Sequence, residues 1–193
     1  DALGAEDQIV SFVETQLSRR GIPMEDFFYE PGMRTKLTVA FARITGKTGN
    51  PIDCMGKPTD RQVAQGLDVK CCDYYSKFVT ELWFSVRLCV EARQMRGLTE
   101  DAIGEFCMRE WKKVMGNKIE VESKDDMKKK MGRSPDLADA VSIGIEGARQ
   151  RGFVIVKIGA EVLRRKPSND VWKTNIRKQA ENAWHGSDLN YAA

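Results

Sequence analysis

Histidine is almost missing from the 193-residue chain: the only one, His185, lies in a polar C-terminal stretch. The five cysteines (Cys54, Cys71, Cys72, Cys89, Cys107) form no CxxC pair. A zinc site therefore lacks both its usual ligands and their spacing. The odd cysteine count, with Cys89 and Cys107 inside helical patterns, reads as reduced thiols of a cytosolic protein. No apolar run approaches the roughly 20 residues of a membrane span, and no signal peptide opens the chain. There is no internal repeat and no GxxxxGK(S/T) phosphate loop. Charge of one sign is also scarce: 31 basic residues face 28 acidic ones, for a net +3. Any case for nucleic acid must then rest on local clustering.

What remains is a composition that is 41% hydrophobic, enough for a real core. The length suits one ordinary domain with an appendage. The boundaries expected are 1–163 for the domain and 164–193 for a polar tail or docking segment. The first residue is Asp, not Met, which reads as a fragment or a processed chain.

Along the chain, Ile9, Val10, Phe12, Val13 and Leu17 make an apolar stripe, and a helix is expected over 6–20, closed by Gly21. Phe27-Phe28-Tyr29 reads as a buried strand that ends at the turn Glu30-Pro31-Gly32. A helix, a connector and a strand ending in a carboxylate make an α/β signature. A second helix is expected from a Thr35 cap to Gly46, and a short strand over 51–55. The polar stretch 56–73 reads as a surface loop or DNA-facing flap. Long helices are expected over 74–96 and 99–115, and a strand over 118–122. A further strand is expected over 153–158, and a weak helix over 169–184.

One stretch organises the rest: Gly132-Arg133-Ser134-Pro135-Asp136-Leu137-Ala138-Asp139-Ala140. Ser134 suits the N-cap and Pro135 the first position of a helix running to about Arg151. Asp136 and Asp139, three apart in the first turn, then point to one side. The helix dipole favours them there, and a divalent cation could be shared between them. Acidic first turns are common, so on spacing alone these are plain helix-start residues. Just upstream, Lys124, Lys128, Lys129, Lys130 and Arg133 form the densest basic run. Beside a carboxylate pair such a run can hold nucleic-acid phosphates while metals act on one of them. Glu30, at a strand's carboxyl end, is where open α/β sheets collect functional groups.

Glu122-Ser123-Lys124-Asp125-Asp126-Met127-Lys128, together with the Gly132–Ala140 string, resembles the end of the nuclease domain of phage large terminase subunits. The resemblance takes in Phe27-Phe28-Tyr29-Glu30-Pro31-Gly32, Gly56-Lys57-Pro58-Thr59-Asp60-Arg61 and Thr80-Glu81-Leu82-Trp83, and spans roughly residues 8–153. It implies a ribonuclease H-like, resolvase/integrase-like fold, a mixed sheet flanked by helices, incomplete at the N-terminus. It implies a metal-dependent endonuclease that cuts concatemeric double-stranded DNA by two-metal phosphodiester hydrolysis. Glu30, Asp136 and Asp139 would be the catalytic and metal-binding residues, holding Mg²⁺ or Mn²⁺. Lys124, Lys128, Lys129, Lys130 and Arg133 would contact DNA. The implied partners are the portal and the small terminase subunit of a packaging motor in the host cell cytoplasm, phage or prophage, with no membrane. Two departures stand out. The family often has Asp-Ser/Thr-x-Gly where this chain has Glu-Pro-Gly. The family's first aspartate lies on an opening strand upstream of every residue here. A catalytically incomplete DNA- or protein-binding module of the same fold is therefore kept beside the enzyme. A third reading is a small α/β structural domain whose acidic residues are only caps.

Overall fold

The structure, a computed structural model, describes residues 4–31 and 36–156. The chain divides into two units, Asp1–Lys157 and Ile158–Ala193, and all the described residues belong to the first. The Gly32 turn, the Thr35 cap, the end of the 153–158 strand and the 169–184 helix all lie outside the described residues.

Helix α1 spans Ala5–Arg20 and stops at Gly21, whose φ of 62° is the left-handed conformation of a helix C-terminus. Its stripe is split: Val10 and Val13 face the core, while Ile9 and Phe12 are exposed. After a 3-10 turn at Met24–Asp26, strand β1 (Phe28–Tyr29) pairs in parallel with β2 (Asn50–Pro51) across helix α2 (Lys36–Thr45). The Asn50 and Ile52 N–H groups donate to the Phe27 and Tyr29 carbonyls at 2.9 and 2.8 Å. Pro51 is tolerated because its missing N–H falls on the side away from β1. The strand expected over 51–55 is cut to two residues, since Asp53 turns the chain by accepting the Met55 N–H at 2.9 Å.

Alternation sorts the strand's side chains. Phe27 and Tyr29 stack with Phe41 of α2 and Val10 of α1 on one face. Phe28 and Ile52 pack on the other against Phe78 and Leu82 of α4 (Phe78–Glu91) and Ile143 of α7 (Asp136–Gln150). The result is a helix/sheet/helix sandwich whose sheet, among the described residues, consists of β1 and β2. The expected α/β class holds, but no larger mixed sheet is present among the described residues: a separate antiparallel pair, β3 (Trp111–Lys113) and β4 (Ile119–Val121), stands beside it.

Two expected helices are shorter than their patterns suggested. The 74–96 helix breaks into α3 (Cys71–Tyr74) and α4. Tyr75 is extended because it bridges to Ile119, and Ser76 N–H donates to the Ile119 carbonyl at 2.9 Å. The 99–115 helix ends as α5 at Glu100–Met108, capped by the Thr99 hydroxyl. Residues 111–113 leave it to pair with β4 through a turn in which Gly116 and Asn117 hold φ of 75° and 60°. The expected strand over 118–122 is observed as β4. Helix α6 (Lys124–Met131), capped by the Ser123 hydroxyl, carries the basic run.

The stretch 56–70 is irregular, as expected, but it is pinned rather than loose: Val63 and Ala64 are buried. Thr59 donates through its N–H (2.7 Å) and hydroxyl (2.8 Å) to Glu81, which is fully buried on α4. Arg149 of α7 donates to the same carboxylate at 3.0 Å, and Arg61 reaches buried Glu146 at 2.6 Å. Two buried carboxylates are thus matched by two guanidiniums, the condition under which such charges are tolerated in a core. Among the described residues no helix is long and apolar enough to cross a membrane.

α7 lies unusually close to the sheet. A Cβ built on Gly147 would come within 2.6 Å of the Phe28 ring. In Gly147→Ala, that overlap is expected to cost about 1–3 kcal/mol, more than the roughly 1 kcal/mol a helix gains from alanine. The urea midpoint should therefore fall, and a rise would show that the ring moves aside freely.

Candidate metal centre

Glu30 directly follows β1, and Asp136 and Asp139 occupy the first turn of α7. Both elements bring these groups into one groove of about 870 Å³, which Lys124 at the start of α6 also lines. The Lys124 ammonium stands 2.5 Å from Asp139 Oδ2 and 3.6 Å from Glu30 Oε2. One cation therefore touches a carboxylate from each end of the domain, more than 100 positions apart in the chain. Asp139 Oδ2 is buried and finds no well-directed hydrogen bond among the described residues, so its contact with Lys124 is an ion pair above all. Asp136 is exposed and adds its charge to the same field. Among the described residues no three His, Cys, Asp or Glu side chains are gathered tightly enough to form a ready metal cage, and it is Lys124 that stands between Glu30 and Asp139.

The start of α7 is held in place from outside. It begins one residue later than the sequence suggested, with Pro135 at the cap position and no side-chain cap from Ser134. Glu105, buried on α5, takes over: its Oε2 accepts the Ala138 N–H at 2.8 Å and its Oε1 accepts Arg133 Nη1 at 2.5 Å. A carboxylate at a helix N-terminus satisfies orphan N–H groups and matches the dipole. Nothing in the sequence pattern of α5 marks Glu105, because it falls among inward-facing positions.

The site's charge shows in its neighbours. Burial pushes the Cys54 thiol up to about 12, and the Glu30 and Asp139 carboxylates add to the rise. Burial alone would lower the Lys124 pKa, but its contact with Asp139 and the charges of Asp139, Glu30 and Asp136 outweigh this and raise it. The rest of the basic run is spent elsewhere. Lys130 pairs with Glu122 and Glu110 at 2.8 and 2.9 Å, Lys129 with Asp126 at 3.3 Å, and Arg133 with Glu105. Lys128 is exposed and has no ion pair among the described residues. Of the five, only Lys124 reaches the carboxylates. Sequence reasoning set it among phosphate contacts and missed Cys54 and Glu105 altogether.

The groove also has a structural gap. In its pairing with β2, β1 turns the backbone groups of Phe27 and Tyr29 toward its partner, so those of Phe28 and Glu30 face the other edge. Among the described residues that edge pairs with no strand. It opens into the groove between Leu17 and Ile22 on one face and Ile143 and Gly144 on the other.

The α/β fold described above has solved counterparts. The fold is that of a terminase nuclease domain: the chain is similar to the nuclease domain of the large terminase subunit gp2 of bacterial virus Sf6, with a TM-score of 0.52, 18% identity, and coverage of 72% of this chain and 71% of that one. A lysine-to-alanine mutant of that domain, solved with manganese, aligns at a TM-score of 0.49 and 18% identity, again over 72% and 71%. No protein-family profile and no curated protein matches the chain.

This geometry has two measurable consequences. Glu105→Ala should destabilise the domain by about 2–4 kcal/mol, since it removes a cap and leaves Arg133 without its partner; chemical denaturation measures it, and a change within 0.5 kcal/mol would contradict the capping role. Because the folded Lys124 pKa is raised, its contribution is complete below the usual lysine value of 10.5 and is lost as pH rises through the folded value. Lys124→Met should therefore flatten the alkaline limb of the stability profile, as followed by melting temperature from about pH 9 to 12.

Proposed function

We propose that this domain is a ribonuclease H-like endonuclease domain of a viral DNA-packaging terminase and that it cuts concatemeric double-stranded DNA with divalent metal ions. The observation that carries the reading is the convergence of Glu30 and Asp139 on one ammonium, with Asp136 beside them. Such carboxylates repel unless a cation lies among them. Lys124 supplies one positive charge; a hard divalent ion with oxygen ligands, Mg²⁺ or Mn²⁺, suits the same donors better. Glu30, Asp136 and Asp139 would hold the metal, which when bound activates a water and stabilises the leaving oxygen.

In this reading the chain's own groups have distinct tasks. Asp139, fixed by α7 and by Glu105 behind it, is the rigid ligand. Glu30, on a strand end, and exposed Asp136 adjust to the ion. Lys124 holds the cluster together beforehand and, once displaced, is placed to bear on a DNA phosphate. Lys128 is the member of the basic run best able to join it, because the others are engaged. The edge of β1 that is unpaired among the described residues suits one further strand, and a carboxylate at its end would complete a two-metal set. Portal and small-subunit contacts and a host-cytoplasm setting accompany the motor reading. A binding module without catalysis is the second reading, favoured by the lack of a ready metal cage among the described residues.

Calorimetric titration with Mn²⁺ tests the site. Asp136→Ala and Asp139→Ala should each weaken binding about tenfold or more, and Lys124→Ala should strengthen it. Equal binding by all variants rejects the centre. Plasmid cleavage with Mn²⁺, by this chain and by one extended at the N-terminus, separates enzyme from module: if the extended protein binds metal yet leaves DNA intact, the enzyme reading falls.

A further inference from the structure

Arg109 follows α5 directly and is only 8% exposed. Its guanidinium lies 4.3 Å over the Trp83 ring, and its Nε donates to the Glu122 carbonyl at 3.0 Å. Nη1 is buried without an acceptor among the described residues. The Glu122 carboxylate is taken by Lys130 at 2.8 Å, and Arg109 forms no ion pair of its own among the described residues. An arginine does not shed its proton in a protein, and a buried charge without a counter-charge is costly. We propose that Arg109 is a positioning residue of the carboxylate centre: a permanent cation on its buried side that acts on Asp139 and limits how tightly the centre holds a divalent ion. The inference rests on the metal centre proposed above and adds a residue that touches neither ion nor substrate.

Placement supports this first. Glu105 and Arg109 are four apart and both buried, so they share the inward side at the end of α5. Glu105 reaches α7 at the Ala138 N–H, 2.8 Å away and next to Asp139. Arg109 does not line the carboxylate groove. It lines a second one between α4, α5 and β3, so it approaches Asp139 from within the protein. Charge supports it next. Burial lowers the Arg109 pKa, and among the charges that oppose this Asp139 comes first, ahead of Glu122 and Cys54. Asp139 Oδ2 is buried without a well-directed hydrogen bond. It thus meets the Lys124 ammonium from the groove and the field of Arg109 from behind. The bond to the Glu122 carbonyl adds a third link. Ser123 caps α6 and Lys124 opens it, so the same guanidinium anchors the chain just before Lys124.

The two cations differ in what they can do. Lys124 is part-exposed on a flexible stem and can leave the carboxylates. Arg109 is held by Trp83 and Glu122 and stays. With a divalent ion in place of Lys124, the carboxylates of Glu30, Asp136 and Asp139 would keep one net negative charge, which repels a DNA phosphate. With the Arg109 charge included, the centre is neutral. A buried charge is little screened by salt. The inner cation therefore weakens the hold on the ion and removes the barrier to an approaching phosphate.

Titration calorimetry with Mn²⁺ on the full chain compares the wild type with two variants. Arg109→Gln keeps a donor for the Glu122 carbonyl and loses the charge; Arg109→Lys keeps the charge. The glutamine variant should bind Mn²⁺ about tenfold more tightly, and the lysine variant as the wild type does. An arginine with a purely structural role would move both variants alike. The wild type gives a second readout that does not depend on a variant folding. With isotope-labelled arginine, the Arg109 Nε–H resonance should shift on adding Mg²⁺, with the midpoint that calorimetry gives for the same ion. Unchanged or weaker Mn²⁺ binding by the glutamine variant, or an Arg109 resonance that stays put at saturation, overturns the inference and leaves the metal centre standing. A wild type that binds neither ion overturns both.

Discussion

The structure around the candidate centre depends on one ion pair, in which a lysine holds apart two carboxylates that would otherwise repel. Unit charges about 4 Å apart near a protein surface interact by about 4 kcal/mol. Glu30 and Asp139 share one groove, where carboxylates repel each other unless a cation lies among them. Lys124 supplies it, and in doing so ties three elements together: the end of β1, the first turn of α7 and the start of α6. The neighbouring Cys54 thiol is pushed up to about 12, chiefly by burial and further by the charges of Glu30 and Asp139.

That pair is effective only because α7 is fixed. Its N-terminus rests on buried Glu105, and its last turns lie against Phe28 through Gly147 and enter the buried ionic network through Glu146 and Arg149. The network stabilises less by its net energy than by allowing no other arrangement, since each carboxylate would be costly without its guanidinium. It also anchors Thr59 and Arg61, so the irregular stretch between β2 and α3 becomes part of the core.

Much of this was legible in the sequence. The apolar run 27–29 and the carboxylate after it, the pair Asp136 and Asp139 at a helix start, and the α/β order all read correctly, because each depends on local pattern. The long helix over 74–96 did not, because Tyr75 leaves the helical path to bridge Ile119, a partner more than 40 positions on. The same applies to 111–113, helical by pattern and a strand by pairing. The basic run was legible only as charge. Composition shows charges but not their partners, and Lys130, Lys129 and Arg133 prove to be engaged by Glu110, Glu122, Asp126 and Glu105. Lys124 was noticed, but its place between the carboxylates needed three dimensions. Glu105, silent in sequence, acts through a helix that begins more than 30 residues later.

The central claim is that Glu30, Asp136, Asp139 and Lys124 form one cation-binding centre. The most direct measurement is paramagnetic broadening of side-chain resonances by substoichiometric Mn²⁺. The account predicts that signals from these four residues and from Cys54 are lost first. Broadening that begins at another acidic cluster, or spreads evenly over the surface, would contradict it.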